Sequence, residues 1–146
     1  MTMGVDVVII GAGPAGMSAA NTINKFGGNV VVLDEQAAPG GQIYKAIDHV
    51  RHDRPNELMW LGPTYSDGAR LTEKFGSQEI DYRPGSMVWN IEGPTSDGFY
   101  TVYYSRTGKS RKLVTGYIIA ATGAMERPVP IPGWTLPGVM TVGAIQ

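Results

Sequence analysis

A stretch near the N-terminus decides the fold, and it reads Val5-Asp6-Val7-Val8-Ile9-Ile10-Gly11-Ala12-Gly13-Pro14-Ala15-Gly16. The run from Val5 to Ile10 is rich in β-branched residues, which is typical of a strand buried on both faces. A helix is predicted over residues 15–26, because Ala is frequent there and apolar residues recur near helical spacing. Gly27-Gly28 is the predicted end of this helix. Strand, glycine turn and helix together predict the start of a Rossmann-type βαβ unit.

Each of the three glycines of the turn has a physical role. Gly11 permits the tight turn, Gly13 lets the backbone approach a pyrophosphate, and Gly16 lets the helix pack closely on the strand. The turn is completed by Ala12, Pro14 and Ala15. The helix that follows presents free N–H groups and a partial positive charge at its N-terminus. We therefore expect this turn to bind the pyrophosphate of a dinucleotide.

A second buried strand, residues 29–33, is followed at once by two carboxylates. Asp34 follows Gly11 by 23 positions, close to the spacing of about 20 residues at which a carboxylate binds the adenosine ribose. Both ribose hydroxyls could donate to such a carboxylate, which would also repel the 2′-phosphate of NADP. Glu35 is adjacent and could share or replace this role. Asp34 is therefore the first candidate for the ribose ligand and Glu35 the second.

The rest of the chain alternates between turn signals and short periodic segments. We predict a loop with a short helix over 43–62, an amphipathic helix over 65–75, and strands over 79–82, 87–92, 99–105 and 112–121. Turns at 94–98 and 107–109 join the last three strands. This order predicts an α/β fold, a Rossmann-like FAD/NAD(P)-binding domain whose parallel sheet carries an inserted antiparallel β-meander.

Two later motifs place glycines near the same ligand. The first is Pro39-Gly40-Gly41-Gln42-Ile43-Tyr44, whose paired glycines allow the chain to run close to the phosphates and the ribityl side of a flavin. The second is the end of the last strand, Ala121-Thr122-Gly123, where small residues allow a dinucleotide to lie across the carboxyl edge of the sheet. Taken with the first two motifs, they direct the prediction from a generic dinucleotide to FAD.

Composition excludes several other classes of function. The 146 residues suffice for one domain, and a net charge of −1 gives no indication of nucleic-acid binding. The absence of cysteine excludes a disulfide, a thiolate nucleophile and a Cys-based metal site within this chain. His49 and His52 lie in a charged segment and are predicted to be solvated, so no metal site is expected. No leader or transmembrane segment is evident, which predicts a cytoplasmic protein.

The motifs resemble a known group of flavoproteins with two dinucleotide-binding domains. The resemblance rests on the glycine turn, on Leu33-Asp34-Glu35-Gln36 with the Gly40-Gly41 motif, and on residues 120–141. Within that group the chain resembles the FAD-binding α (A) subunits of opine oxidases, hydrogen cyanide synthase and dye-linked proline or hydroxyproline dehydrogenases. The sarcosine oxidase α subunit is a more distant relative. The resemblance covers most of the chain.

The resemblance implies a role for each matching residue. The glycine turn would hold the pyrophosphate, and Asp34 or Glu35, with Gln36 beside them, would bind the adenosine ribose. The ribityl side would be lined by Gly40, Gly41 and Gln42. The backbone of Val88 would contact adenine, and the cofactor would be closed over by Ala121, Thr122, Gly123 and Arg127. No catalytic residue is assigned.

The resemblance also implies a larger assembly. Such subunits are much longer than 146 residues, so residues 1–146 are expected to form the N-terminal part of an FAD-binding domain, with 124–146 leading towards a second dinucleotide-binding domain. The expected function is that of one component of a heteromeric dehydrogenase or oxidase, which oxidises the C–N bond of an amino acid, imino acid or opine. Partner subunits and a small amino-acid-like substrate are expected.

Two other functions stay open at this point. The chain carries no evident general base, which is compatible with a non-catalytic nucleotide-binding module that supports a catalytic partner. A thioredoxin reductase-like or NADH oxidase-like flavoprotein is the other alternative. Disulfide reductases often carry a cysteine pair just beyond the Gly-Gly turn, where this chain has Gln42-Ile43-Tyr44. A dithiol next to the flavin is therefore excluded at that position.

Overall fold

A computed structural model describes residues 5–141 and 143. Within these residues the chain forms six strands and four helices. In chain order they are β1 (Val5–Ile10), α1 (Pro14–Lys25), β2 (Val30–Asp34), α2 (Ile47–Asp53), α3 (Glu57–Trp60), α4 (Pro63–Gly76), β3 (Asp81–Pro84), β4 (Ser86–Glu92), β5 (Tyr100–Arg106) and β6 (Lys109–Ala120).

The described strands form a single sheet in the order β3-β2-β1-β6-β5-β4. Strand β1 pairs in parallel with β2 and β6, and β2 pairs in parallel with β3. Strand β5 pairs antiparallel with both β4 and β6, which is the meander. The predicted α/β fold, a parallel sheet with an inserted antiparallel β-meander, is confirmed.

Strand β6 belongs to both parts of the sheet. Thr115 pairs with Tyr100 in the antiparallel ladder and with Val5 in the parallel one. The residues before Thr115 thus complete the meander, and those after it complete the parallel sheet. Thr115 is fully buried, and its Oγ1 lies 3.0 Å from the carbonyl oxygens of Asp6 and Tyr117. One long strand therefore carries the chain from the meander back to the centre of the sheet.

The parallel strands are covered on both faces, as the apolar sequence of β1 predicts. Val7 and Ile9 face a cluster that includes Met17 of α1 and Phe75 of α4. Val8 faces the opposite cluster, together with side chains of β2 and of the meander strand β5. Because successive side chains of a strand point to opposite faces, helices cover one face of β1 and β2 and the meander covers the other.

The structure corrects the bounds of several predicted segments. Two short helices, α2 and α3, replace the loop with one helix expected over 43–62; the buried pair Ile47 and Val50 anchors α2. A seven-residue helix is too short to show helical periodicity in the sequence. Strand β3 lies two residues later than predicted, because parallel pairing with β2 selects 81–84. Strand β6 begins at Lys109, since Thr107 and Gly108 both have positive φ and form a two-residue hairpin turn.

Candidate dinucleotide-binding site

Two of the glycines in the turn are required by the fold itself. Gly11 has φ +103°, and an added Cβ would overlap the carbonyl group of Ala121, at the end of β6. A Cβ on Gly16 would overlap the carbonyl oxygen of Gly11. The N–H of Gly11 donates to the carbonyl oxygen of Leu33 at 2.7 Å. Close packing of β1, β2, β6 and α1 at one edge of the sheet therefore explains Gly11 and Gly16.

Gly13 is different, because no contact among the described residues requires it to be a glycine. Its backbone is extended (φ −72°, ψ −177°), and an added Cβ would have the Cα of Gly41, 3.9 Å away, as its nearest neighbour. Helix α1 starts at the next residue, Pro14, which has no N–H to leave unpaired. The N–H groups of the first helical turn have no acceptor within the helix. The turn thus leaves space and donors for a phosphate beside Gly13.

The carboxylate of Asp34 lies beneath the turn. The side chain is only 6% exposed, and Oδ2 accepts a hydrogen bond from the N–H of Ala12. Oδ1 accepts from the N–H of Gln36 at 2.7 Å. The residue predicted as the first ribose ligand therefore also supports the glycine turn. Each carboxylate oxygen has a second lone pair, so these bonds leave capacity for ribose hydroxyls.

Glu35 and Gln36 follow Asp34 on the surface. Both side chains are exposed, and Gln36 Nε2 lies 3.4 Å from Glu35 Oε1, a long contact. Neither side chain supports the backbone of the turn. Glu35 is therefore able to move towards a ligand, whereas Asp34 is fixed in place.

The Gly-Gly loop forms a second wall beside the turn. The N–H of Gly40 donates to the carbonyl oxygen of Ala12 at 2.9 Å, and a Cβ on Gly41 would lie 3.0 Å from the Cα of Gly13. Ala12 is thus bound at its N–H by Asp34 and at its carbonyl by this loop. The structure brings together two motifs that the sequence separates by more than twenty residues.

The remaining predicted residues lie at different distances from the turn. The N–H of Ala121 donates to the carbonyl oxygen of Ile10 at 2.9 Å, which holds the end of β6 next to Gly11. Thr122 and Gly123 are exposed just beyond it. The partly buried side chain of Val88 packs on the meander side of the sheet. Other exposed residues predicted for the site are Gln42 and Arg127, for which the described residues show no hydrogen bond or ion pair.

Tyr82 of β3 is a neighbour of this site that the sequence did not indicate. Its hydroxyl is buried and has no hydrogen-bond partner among the described residues, and its ring packs edge-on against Phe75 at 5.3 Å. Burial, followed by the negative charge of Asp34, raises the pKa of Tyr82. Tyr82 is therefore a neutral donor near the carboxylate, and only the pairing of β3 with β2 reveals it.

Outside this site, the polar segment 48–57 forms side-chain contacts on the surface. His49 Nδ1 lies 2.7 Å from Asp53 Oδ2 one helical turn away, and Arg54 pairs with Glu57 at 3.1 Å. In the part of the chain that the structure describes, no three His, Cys, Asp or Glu residues are grouped to hold a metal ion. Among the helices of residues 5–141, none is long and apolar enough to cross a membrane.

Sequence comparison places the chain near three kinds of multi-subunit enzyme. It is 44% identical to the A subunit of opine oxidase from Agrobacterium tumefaciens (strain Ach5), over 97% of this chain and 28% of that protein. It is 36% identical to the HcnB subunit of hydrogen cyanide synthase from Pseudomonas protegens, over 99% of this chain and 30% of that protein. It is 29% identical to the alpha subunit of sarcosine oxidase from Corynebacterium sp. (strain P-1), over 97% of this chain and 15% of that protein. The resemblance found in the motifs is confirmed.

Solved structures show the same fold at lower identity. L-proline dehydrogenase from P. horikoshii superposes with a TM-score of 0.66 at 20% identity, over 87% of this chain and 24% of that chain. OTEMO in complex with FAD and NADP superposes with a TM-score of 0.61 at 20% identity, over 85% of this chain and 27% of that chain. These likenesses concern the fold alone.

The family assignment rests on nearly the whole sequence. A profile of the family described as pyridine nucleotide-disulphide oxidoreductase matches residues 5–144. The chain spans about 28% of the length of the opine oxidase protein it matches. The family is one of flavin oxidoreductases. The chain contains no cysteine. It belongs to the pyridine nucleotide-disulphide oxidoreductase family.

Proposed function

We propose that this chain binds the ADP half of FAD at the edge of its sheet. The observation that carries the proposal is the space beside Gly13. The fold explains Gly11 and Gly16, but a Cβ at Gly13 would meet no atom of the described residues closer than 3.9 Å. A glycine at a position where the fold does not need one is accounted for by a ligand pyrophosphate that approaches the backbone there. The N-terminus of α1 supplies donors for the pyrophosphate.

Asp34 remains the proposed ribose ligand, with Glu35 as the alternative. Asp34 is positioned by two backbone N–H groups, and its remaining lone pairs would accept the ribose hydroxyls. A fixed carboxylate binds with a smaller entropy cost than a mobile one, which favours Asp34 over the exposed Glu35. The same proposal includes the cofactor-binding roles that the resemblance implies for the other predicted residues, which are Gln36, the Gly40–Gln42 loop, Val88, residues 121–123 and Arg127.

At the level of reaction, we propose an FAD-dependent oxidoreductase acting on a C–N bond. A bound flavin supplies the electron acceptor for hydride transfer, and this chain's residues bind and orient its nucleotide half. The support comes from sequence relatives whose names are opine oxidase and sarcosine oxidase. An amino acid, imino acid or opine is the proposed substrate class. Partner subunits are proposed because the sequence relatives are named as subunits; the cytoplasmic location stays a prediction.

The matched pair Gly13→Leu and Gly76→Leu tests the FAD site. Both glycines have ordinary φ, and an added Cβ would make only an ordinary contact at Gly13, 3.9 Å from the Cα of Gly41, and no contact within 4 Å at Gly76, so the fold should accept both changes. The purified protein, with its partner subunits, should show flavin absorbance in the visible range. Gly13→Leu should weaken flavin binding by more than about tenfold, and Gly76→Leu should not. Absence of flavin from the unaltered protein, or equal binding by both variants, would contradict the proposal.

A nucleotide-binding module without catalytic residues is the second candidate function. The observation that favours it is the state of the two titratable groups beside the turn. Both oxygens of Asp34 accept backbone hydrogen bonds, and burial raises the pKa of Tyr82. Tyr82 is therefore not suited to accept a proton from a substrate, and Asp34 is already engaged by two backbone donors. Mass spectrometry that finds a nucleotide other than FAD, or Gly13→Leu complexes that assemble poorly but turn over normally, would favour the module.

A further inference from the structure

The ring of Tyr44 lies across the backbone of helix α4 at Gly68. A Cβ on Gly68 would overlap the Cδ1 and Cγ atoms of the Tyr44 ring and would lie 2.6 Å from its Cε1. Gly68 does not have a positive φ, so its backbone conformation does not require glycine. A glycine inside a helix costs about 1 kcal/mol relative to Ala. The position of the Tyr44 ring therefore explains why this helix contains a glycine.

A second tyrosine holds the same segment from α4. The ring of Tyr65 packs edge-on against Tyr44, with centroids 6.4 Å apart and planes at 70°. The hydroxyl of Tyr65 donates to the carbonyl oxygen of Lys45 at 2.8 Å. Helix α4 thus contacts the ring of Tyr44 and binds the peptide that follows it.

Tyr44 is joined through its backbone to the Gly-Gly loop. Its N–H donates to the carbonyl oxygen of Gly40 at 3.2 Å, and a Cβ on Gly40 would lie 3.0 Å from the carbonyl carbon of Tyr44. Gly40 in turn donates to Ala12, and Gly41 lies against Gly13. Contacts therefore run without a break from α4 to the glycine turn.

We propose that Tyr44 and Gly68 are a positioning pair for the dinucleotide site. The ring seated on Gly68 fixes the Gly-Gly loop against the glycine turn, so that the pyrophosphate meets a preformed second wall. This inference rests on the proposed dinucleotide-binding function. Neither residue is a catalytic residue, because each acts through the loop.

The physical reason is the freedom of the loop. Gly40 and Gly41 both have positive φ, and glycine loses more conformational entropy on ordering than any other residue. Without an anchor, the loop would be ordered only when the ligand binds, and the affinity would fall by that cost. We expect about a tenfold weaker affinity when the anchor is removed.

The test measures ADP and FAD dissociation constants for purified protein by calorimetry. Tyr44→Phe should bind like the unaltered protein, since the ring is what contacts Gly68. Tyr44→Ala should bind about tenfold more weakly. Tyr103→Ala is the matched control, because Tyr103 also belongs to a partly exposed aromatic pair, with Trp89 at 5.4 Å, but lies on the meander. It should leave both constants unchanged.

The helix side of the pair gives an independent check. Gly68→Ala should displace the ring and weaken ADP binding as Tyr44→Ala does, and the double variant should be no weaker than either single one, because one contact is lost in all three. Equal ADP affinity of unaltered protein, Tyr44→Ala and Gly68→Ala would overturn the inference. If Tyr44→Ala does not fold, Gly68→Ala alone decides. Failure of the unaltered protein to bind ADP or FAD would instead overturn the proposed function.

Discussion

Replacing Asp34 by Asn should destabilise the fold from within the candidate site. The change keeps the shape of the side chain but converts one acceptor oxygen into an NH₂ group. Asp34 accepts two backbone N–H groups, from Ala12 and Gln36, so one of them would face a donor instead of an acceptor. A hydrogen bond to a charged group contributes about 1.5–3 kcal/mol, and a buried N–H without a partner costs about 1–3 kcal/mol.

We expect Asp34→Asn to lower the free energy of unfolding by about 2–3 kcal/mol. The matched control is Asp6→Asn, because Asp6 Oδ2 also accepts a backbone N–H, from Asn29 at 2.7 Å, but at an exposed position. Water can replace that bond, so the control should lose less than about 1 kcal/mol. Equilibrium denaturation with urea measures both variants.

ADP binding by the same two variants tests whether Asp34 contributes to the nucleotide site in addition to the stability of the fold. Asp34→Asn should weaken ADP binding under conditions in which the variant is still folded, because the change alters both the support of the turn and the proposed ribose ligand. Asp6→Asn should bind normally. An equal and small loss of stability in both variants, with normal ADP binding by Asp34→Asn, would refute the reasoning.

Two further predictions concern buried polar groups. Asn21 in α1 is 4% exposed, and its Nδ2 and Oδ1 have no partner among the described residues, so Asn21→Leu should raise the free energy of unfolding by about 1–3 kcal/mol. The control Asn24→Leu loses a hydrogen bond to Gln78 at 3.0 Å and should not raise it. An Asn21→Leu variant less stable than the unaltered protein would contradict this prediction. Burial raises the pKa of Tyr82, so the folded state keeps a proton that the unfolded chain releases above its ordinary pKa of 10.0. The stability should therefore fall as pH rises above 10.0, and Tyr82→Phe should reduce that fall in alkaline denaturation; identical pH profiles would rule this out.

The elements at the centre of the sheet could be predicted because their signals are local. Strand β1 matches its predicted bounds, and α1 differs by one residue at each end. A β-branched run, a glycine turn and a glycine stop act over a few residues, so neighbours in sequence suffice to recognise them. Segment 43–62 could not be predicted in the same way, because α2 is held by Ile47 and Val50 packing into the interior.

The candidate site was likewise predictable from the sequence only in part. The glycine turn and Asp34 are predicted from the strand–turn–helix context and from spacing, because the chain length between β1 and β2 fixes where a carboxylate can stand. Tyr82 was not found, because it lies beside Asp34 only through the pairing of β3 with β2. The contact of Tyr44 with Gly68 likewise depends on how α4 packs.

The sequence by itself determined that a strand, a glycine turn and a helix follow one another between residues 5 and 26, and that a carboxylate ends the second strand. Only the tertiary structure decided what each of these residues does. It showed that packing requires Gly11 and Gly16 but not Gly13, and that Asp34 supports Ala12. The physical reason is that a glycine or a buried carboxylate acquires its role from the atoms that surround it, and the fold brings many of these from distant parts of the chain: Ala121 beside Gly11, Gly41 beside Gly13 and Ala12 beside Asp34.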